Sequence, residues 1–311
     1  MARAHVDPEA WARKVKIRRK VIIILTAVVL LTVGTVWLLK TRILPEKRNS
    51  ERYAQAEAAL AQGNVPEAID RFSVIWSYRD AGARATELAL SQQSDDSLGS
   101  LFSSVPLGAR VSFGSWEQDG KPENGPEPIE WFVLADDDGR VLLWSGLVLE
   151  QMPYHNANTD ITWADCSLRS WLNDSFYRTA FTPEEQAMIS MTVVENPDNA
   201  ASGVDGGVDT EDHVYIPSCN ELIAYYYFNG HMDGFYSYPT PYAATQGLEI
   251  HSSWGTTPGW LRNPGIYQNT AGYCSMGGDP TKTGRVNHDG YGVRPVIWVF
   301  APGRTQTIPE E

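Results

Sequence analysis

The sequence predicts an α+β domain, set behind a helical hairpin and one long apolar segment. Three observations lead there. Residues Val21 to Leu39 read VIIILTAVVLLTVGTVWLL, without a single charge. From Glu51 to about Leu90, apolar residues recur at helical spacing. Beyond residue 106, short β-type runs mix with short helical runs and long turn-rich loops, rather than alternating regularly as in a parallel α/β sheet.

The apolar segment comes first. At ~1.5 Å per residue, a helix of this length spans roughly the ~30 Å hydrocarbon layer of a bilayer. It is too long for a signal peptide's apolar core and lacks a small-residue cleavage site, so an uncleaved signal anchor over 21–39 is expected. Seven basic residues precede it (Arg3, Arg13, Lys14, Lys16, Arg18, Arg19, Lys20) and five follow closely (Lys40, Arg42, Lys47, Arg48, Arg52). That bias places residues 1–20 in the cytoplasm and the rest outside, as a single-pass cell-membrane protein.

Charge is partitioned along the chain. The first 42 residues carry net +7 and the remainder net −20. A part that acidic is repelled by phosphate backbones, which excludes nucleic acid as a partner. Three cysteines (Cys166, Cys219, Cys274) are too few and too scattered for a disulfide scaffold or a clustered zinc site. Nine of the eleven tryptophans lie from Trp76 onward, enough aromatic surface to build a substantial core.

Residues 43–90 read as a helical hairpin. Tyr53, Ala56 and Leu60 mark a first helix, Gly63-Asn64 a break, and Ala68, Ile69, Phe72 and Ile75 a second helix opened by Pro66. ALAQGNVPEAIDRF resembles the turn of a tetratricopeptide repeat, and one such unit cannot bury its own face. A spacer and a partner-binding groove are both open readings. Residues 91–106, rich in Ser and Asp, suit a linker. Strands are expected at 110–113, 129–134 and 141–145, separated by turns at 118–125 and 136–139. Helices follow at 167–172 and 183–189, the latter capped by Thr182, and a further helix at 220–228 capped by Ser218 or Asn220. Gly292 to Phe300 reads as a buried strand that Pro295 turns toward an edge or a bulge, and residues 302–311 form a tail.

Several blocks carry a resemblance. Thr162–Ile189 (TWADCSLRSWLNDSFYRTAFTPEEQAMI), VSFGSWEQDG with PIEWFVL, VYIPSCNEL, WLRNPG and GVRPVIWV follow in order. Residues 107–301 resemble the bacterial family called domain of unknown function 6273, common in membrane-anchored surface proteins. Through its W-L-R and G-x-R-P blocks that family is similar to C-type-lectin-like folds, including the sulfatase-modifying-factor group. The resemblance implies a C-type-lectin-like mixed domain with short strands and long loops, and fold likeness alone does not confer function. Within the signature, Trp163 and Trp171 fall at spacings suited to core packing. Arg169, Arg262 and Arg294 sit among apolar neighbours and read as loop staples, and Gly265, Gly284 and Gly292 as turn residues.

For chemistry, no G-x-S-x-G elbow, H-E-x-x-H pair or phosphate loop is present. Cys274 lacks the partner that the sulfatase-modifying oxidases use, and the calcium tripeptides of classical lectins are missing. Two constellations remain. Asp205, Asp209, Glu211 and Asp212 bring four carboxylates into eight residues, either a solvated turn or a calcium loop. Otherwise no cofactor is expected. Residues 225–242 hold six of the fourteen tyrosines. Tyr225, Tyr236, Tyr238 and Tyr242, with Trp254, Trp260 and Tyr267, offer flat faces with polar tips suited to recognition. The expected function is therefore a membrane-anchored, non-catalytic extracytoplasmic module that recognises an envelope glycan or a surface protein. The alternatives are a metal- or cofactor-dependent enzyme, with Asp205, Asp209, His213 and Cys274 converging, and an assembly subunit working through the hairpin.

Overall fold

A computed structural model describes residues 26, 29, 30, 32, 33, 35–95, 97–229 and 235–305, without the side chains of 225–229. The chain divides into two compact units, residues 1–54 and 55–311.

In the first unit the described residues are helical. A π-helical turn over Leu39–Ile43 runs into helix α1, Leu44–Ala61, which ends inside the second unit. The single-pass placement expected for the apolar run is overturned here. Among the described residues, no helix is long and apolar enough to cross a membrane. The helix that continues the run carries Glu46, Lys47, Arg48 and Glu51, side chains that belong in water. Residues 21–25, 27, 28, 31 and 34 of the run lie outside the described residues. With the spanning segment go the cytoplasmic tail and the extracytoplasmic address inferred from it.

The second unit opens with the end of α1, then α2, Val65–Ser73, and α3, Ala81–Ser91. Asn64 caps α2 by accepting from the Glu67 backbone N–H, and Pro66 occupies the first turn, where its missing N–H costs nothing. Ala56, Ala68 and Phe72 are fully buried between these helices, and Arg84 lies over the Phe72 ring at 4.8 Å while pairing with Glu57. The hairpin is not a free spacer. Trp76 stacks on Phe300 at 5.8 Å, lies under the Arg140 guanidinium at 4.2 Å and donates to the Asp138 carbonyl. The Ser-rich stretch read as a linker contains helix α4, Ser97–Ser104, whose Phe102 is fully buried edge-on against Phe113. One phenylalanine every eight residues is a weak signal in sequence, yet it is enough to pin a short helix to a core.

The β structure forms two main sheets. The first contains β1 (Arg110–Trp116), β2 (Glu127–Asp137), β3 (Arg140–Ser145), β5 (Ile189–Ser190), β8 (Val214–Tyr215) and β13 (Val296–Phe300). Its order is β1-β2-β3-β13-β5, with β8 also on β13. The second contains β4 (Glu150–Gln151), β9 (Gly259–Pro264), β10 (Thr270–Cys274), β11 (Pro280–Arg285) and β12 (Gly292–Val293), in the order β11-β10-β9-β12-β4. A two-stranded ribbon pairs β6 (Thr192–Val194) with β7 (Thr210–Asp212). The mixture of helices with largely antiparallel strands makes the unit α+β.

The strand expected over 292–300 is therefore two strands in different sheets. Pro295 has no N–H to give to a ladder, and its carbonyl accepts from Ser145 at the bend. Between β4 and β5, α5 (Ser167–Trp171) leads through a π turn, Leu172–Phe176, and α6 (Pro183–Met188) begins with a full capping box between Thr182 and Glu185. Helix α7, Cys219–Asn229, starts with the reciprocal pair Ser218 and Glu221. Gly284 and Gly292 do not serve as positive-φ turn residues. They are close-approach points, where an added Cβ would lie 2.7 Å from the Trp260 ring and 2.3 Å from Val148 respectively. Gly265 is likewise outside the positive-φ set and is crowded by Thr270.

Candidate binding surface

At the bend between β12 and β13 stands Arg294, buried and stacked 3.5 Å above the Trp144 ring. Its guanidinium donates to the carbonyls of Ser145, Gly146 and Tyr236. Burial pushes it below its ordinary pKa. It ties the end of β3 to the tyrosine-rich segment. That segment is further laced down by Val148 N–H to the Tyr238 carbonyl, Thr240 N–H to the Val148 carbonyl, and Thr257 N–H to the Ser237 carbonyl. Extended backbone alternates its side chains. Ser237 points in and is buried, whereas Tyr236 and Tyr238 are 38% and 45% exposed; Thr240 is buried as the N-cap of the short helix that follows.

Trp254 lies beside this segment on a tight turn. His251 N–H donates to the Thr256 carbonyl, and Gly255, at φ +70°, returns an N–H to the His251 carbonyl. The His251 Nδ1 accepts from the backbone N–H groups of Ser253 and Trp254, so the imidazole is held by the turn it sits on. The indole stacks on that imidazole at 4.1 Å and 12°, yet is 58% exposed. One face is braced and the rest meets solvent. Thr256 bonds to the Met276 carbonyl, and Gly278 approaches Tyr236, which brings Trp254, Tyr236 and Tyr238 to the same end of the second sheet.

The other expected aromatics are elsewhere. Trp260 is 2% exposed and donates to the Met152 carbonyl, so it belongs to the core and not to a recognition face. Its place on β9 explains this, because that strand lies between β10 and β12 and its first four residues are all buried. Tyr267 is well exposed, but it caps the far end of the β9–β10 hairpin. Six strand residues at ~3.3 Å each put it about 20 Å from the Gly259 end. Tyr242 is half-buried on the short helix α8, Pro241–Thr245, where burial and then Glu150 and Glu117 raise its phenol pKa. Tyr225 is on α7, but its side chain lies outside the described ones.

The carboxylates of the acidic run do not converge on one point. Asp212 is buried and accepts from Arg169 Nε at 2.6 Å, Trp163 Nε1 at 3.0 Å and Thr210 Oγ1 at 2.7 Å. Asp209 accepts from Asn196 N–H and Asp205 from Gly207 N–H, while Glu211 points outward. The period of two along β7 sends neighbouring carboxylates to opposite faces. Among the described residues, only Glu117, Asp119 and Glu127 bring three such oxygens within 4.8 Å of one another. Those oxygens are engaged by the N–H groups of Gln118, Asp119, Gly120 and Lys121, and by the Lys121 ammonium at 3.2 Å.

The remaining signature residues bind the fold to itself. Trp163 is buried, and Trp171 packs edge-on against Trp116 at 5.8 Å. Arg262 makes a two-pronged contact with Glu221 and reaches the carbonyls of Ile216 and Glu195. Burial acts to lower its pKa, but the Glu221 charge and hydrogen bonds outweigh that and hold it above the ordinary value. The three cysteines are free thiols. His213, considered with Asp205, Asp209 and Cys274 as a catalytic group, instead bonds Asp70 at 2.8 Å and stacks on Tyr177 at 4.4 Å. The His251 brace and the Asp70–His213 pair both escaped sequence reasoning. Isolated histidines carry no periodic signal, and 143 residues separate the second pair.

These features define an α+β scaffold whose arginines and tryptophans lock its loops and leave Trp254, Tyr236 and Tyr238 exposed. Residues 138–301 match the family model described as Domain of unknown function (DUF6273). This match covers more than half of the chain, which belongs to that family. No curated protein and no solved structure matches the chain.

Proposed function

We propose that the second unit is a non-catalytic binding module that engages a glycan through Trp254, Tyr236 and Tyr238. The observation that carries this reading is Trp254. A large indole held in a rigid turn, braced by an imidazole and open to solvent, is a ready platform for the apolar C–H face of a sugar ring. Because the turn is already formed, little ordering entropy opposes binding. The phenols beside it supply both a flat face and a hydroxyl. Leaving such a residue exposed has no packing rationale, since its burial would add stability. The C-type-lectin-like resemblance of the W-L-R and G-x-R-P blocks accords with a recognition role.

Titration of the full chain with soluble peptidoglycan fragments and with neutral and acidic oligosaccharides tests the reading. Saturable binding, weakened at least tenfold by Trp254→Ala and by Tyr236→Ala with the melting temperature retained, is expected. Binding that ignores both substitutions, or capture of proteins and no glycan, overturns it.

A further inference from the structure

A second concavity lies far along the chain from the aromatic face and is independent of it. Helix α2 and the start of α6 enclose a cleft of about 280 Å³. Ile69, Pro183 and Ala187 supply apolar wall, Tyr177 an aromatic one, and Asp70 and Glu184 two carboxylates. No lysine or arginine stands among the residues lining it. Asp70 is part-exposed, and its bonded partner is His213 Nε2 at 2.8 Å, a group that carries charge only when protonated. Tyr177 is braced from behind by the His213 ring at 4.4 Å and 13°, and its hydroxyl donates to the Gln186 carbonyl. Burial first, and then the Asp70 charge, push the Tyr177 phenol up, so it stays a neutral ring. Glu184 is fixed at the rim, where its backbone carbonyl and its carboxylate accept from Gln93 and Ser94.

An aromatic wall, a short apolar floor and two carboxylates, one held by His213 and one at the rim, with no lysine or arginine in the lining, select one chemistry. We propose that this cleft binds a small organic cation, a primary alkylammonium such as a lysine side chain or a short polyamine. Asp70 is the counter-ion, Tyr177 packs along the alkyl chain and ammonium, and Glu184 adds attraction at the mouth. An ammonium donates three hydrogen bonds and accepts none, which matches a site whose polar groups are carboxylates and amide oxygens. The aromatic quadrupole favours the cation over a neutral alkyl group of the same size. Because α2 and α6 belong to different parts of the sequence, a bound cation would also hold the helical layer against the β domain.

The test is calorimetric titration of the full chain with butylammonium and cadaverine, with butanol as the uncharged control. Saturable binding of both amines and none of butanol is expected. Asp70→Asn should weaken amine binding about tenfold or more, the scale of one charge-assisted hydrogen bond. Glu184→Gln, at an exposed rim residue that does not enter the core, should weaken it two- to fivefold and make it less sensitive to salt than wild type. This second variant decides the matter if Asp70→Asn disturbs folding. Equal affinity for butanol, no saturable amine binding, unchanged affinity in a folded Asp70→Asn, or, where that variant does not fold, unchanged affinity in Glu184→Gln overturns the proposal.

Discussion

Replacing Arg294 by methionine separates a staple from a ligand clamp. In the fold, the guanidinium donates to the carbonyls of Ser145, Gly146 and Tyr236 and covers the Trp144 ring. Methionine keeps much of the volume and apolar contact but removes every donor. Each buried carbonyl left without a partner costs ~1–3 kcal/mol. Three such carbonyls give ~3–9 kcal/mol, from which the relieved cost of burying a charge, several kcal/mol, is subtracted. A net loss of about 3–4 kcal/mol follows, the usual scale for breaking a buried charged network. For a cooperative unit of this size, ~2–4 °C per kcal/mol converts that into a drop of roughly 6–16 °C in Tm. Differential scanning calorimetry of the full chain, wild type against Arg294→Met, reads it directly. Arg294→Lys should fall between the two, because an ammonium restores charge but not the planar fork that reaches three carbonyls at once. A Tm change below about 3 °C in the methionine variant would refute the staple reasoning.

Other outcomes follow from the same structure. Asp212→Ala leaves Arg169 and Trp163 Nε1 without their buried acceptor, and should cost about 3 kcal/mol in urea denaturation with the slope unchanged. Gly114 sits at φ +67°, and an added Cβ would lie 2.5 Å from the Phe181 ring. Gly114→Ala should therefore cost more than ~2 kcal/mol, and a smaller loss would show that the β1 bend relaxes freely. Burial pushes the Cys166 and Cys274 thiols up to about 12; it also raises Cys219, which is only half-buried and so open to reagent. At pH 8 the native protein should react with a thiol reagent at one cysteine, rising to three only on unfolding. Fast labelling of Cys166 in the folded state contradicts that packing.

How much of this was readable in advance depended on the range of the interaction involved. Local rules carried far. Thr182 marks one helix start, and of the two candidates Ser218 and Asn220 it is Ser218 that caps the other, because a cap needs only its own three following residues. Asp136-Asp-Asp-Gly139 marked the β2–β3 turn for the same reason, and the W-x-x-C-x-L-R block pointed to packing and stapling positions. Readings failed where a partner distant in sequence decides the outcome. In sequence Trp260 reads as a surface residue, because neighbours in a loop-heavy stretch do not reveal which strands will flank it. Asp212 looked like one of four equal carboxylates until β7 placed it inward, opposite Arg169. The stretch 91–106 was polar enough to be a linker, but Phe102 alone anchors α4 against Phe113. The apolar run misled for a different reason. Its length met the criterion for spanning, but its continuation beyond Leu39 is one helix rich in charge.

Heteronuclear NMR of the full chain during glycan titration, following the indole N–H signals of its eleven tryptophans, tests the central claim most directly. Recognition through the open platform predicts that the Trp254 signal moves with saturation, accompanied by the rings of Tyr236 and Tyr238, while buried Trp131, Trp163 and Trp260 stay still. Saturable shifts centred on any other tryptophan, with Trp254 unmoved, would contradict it.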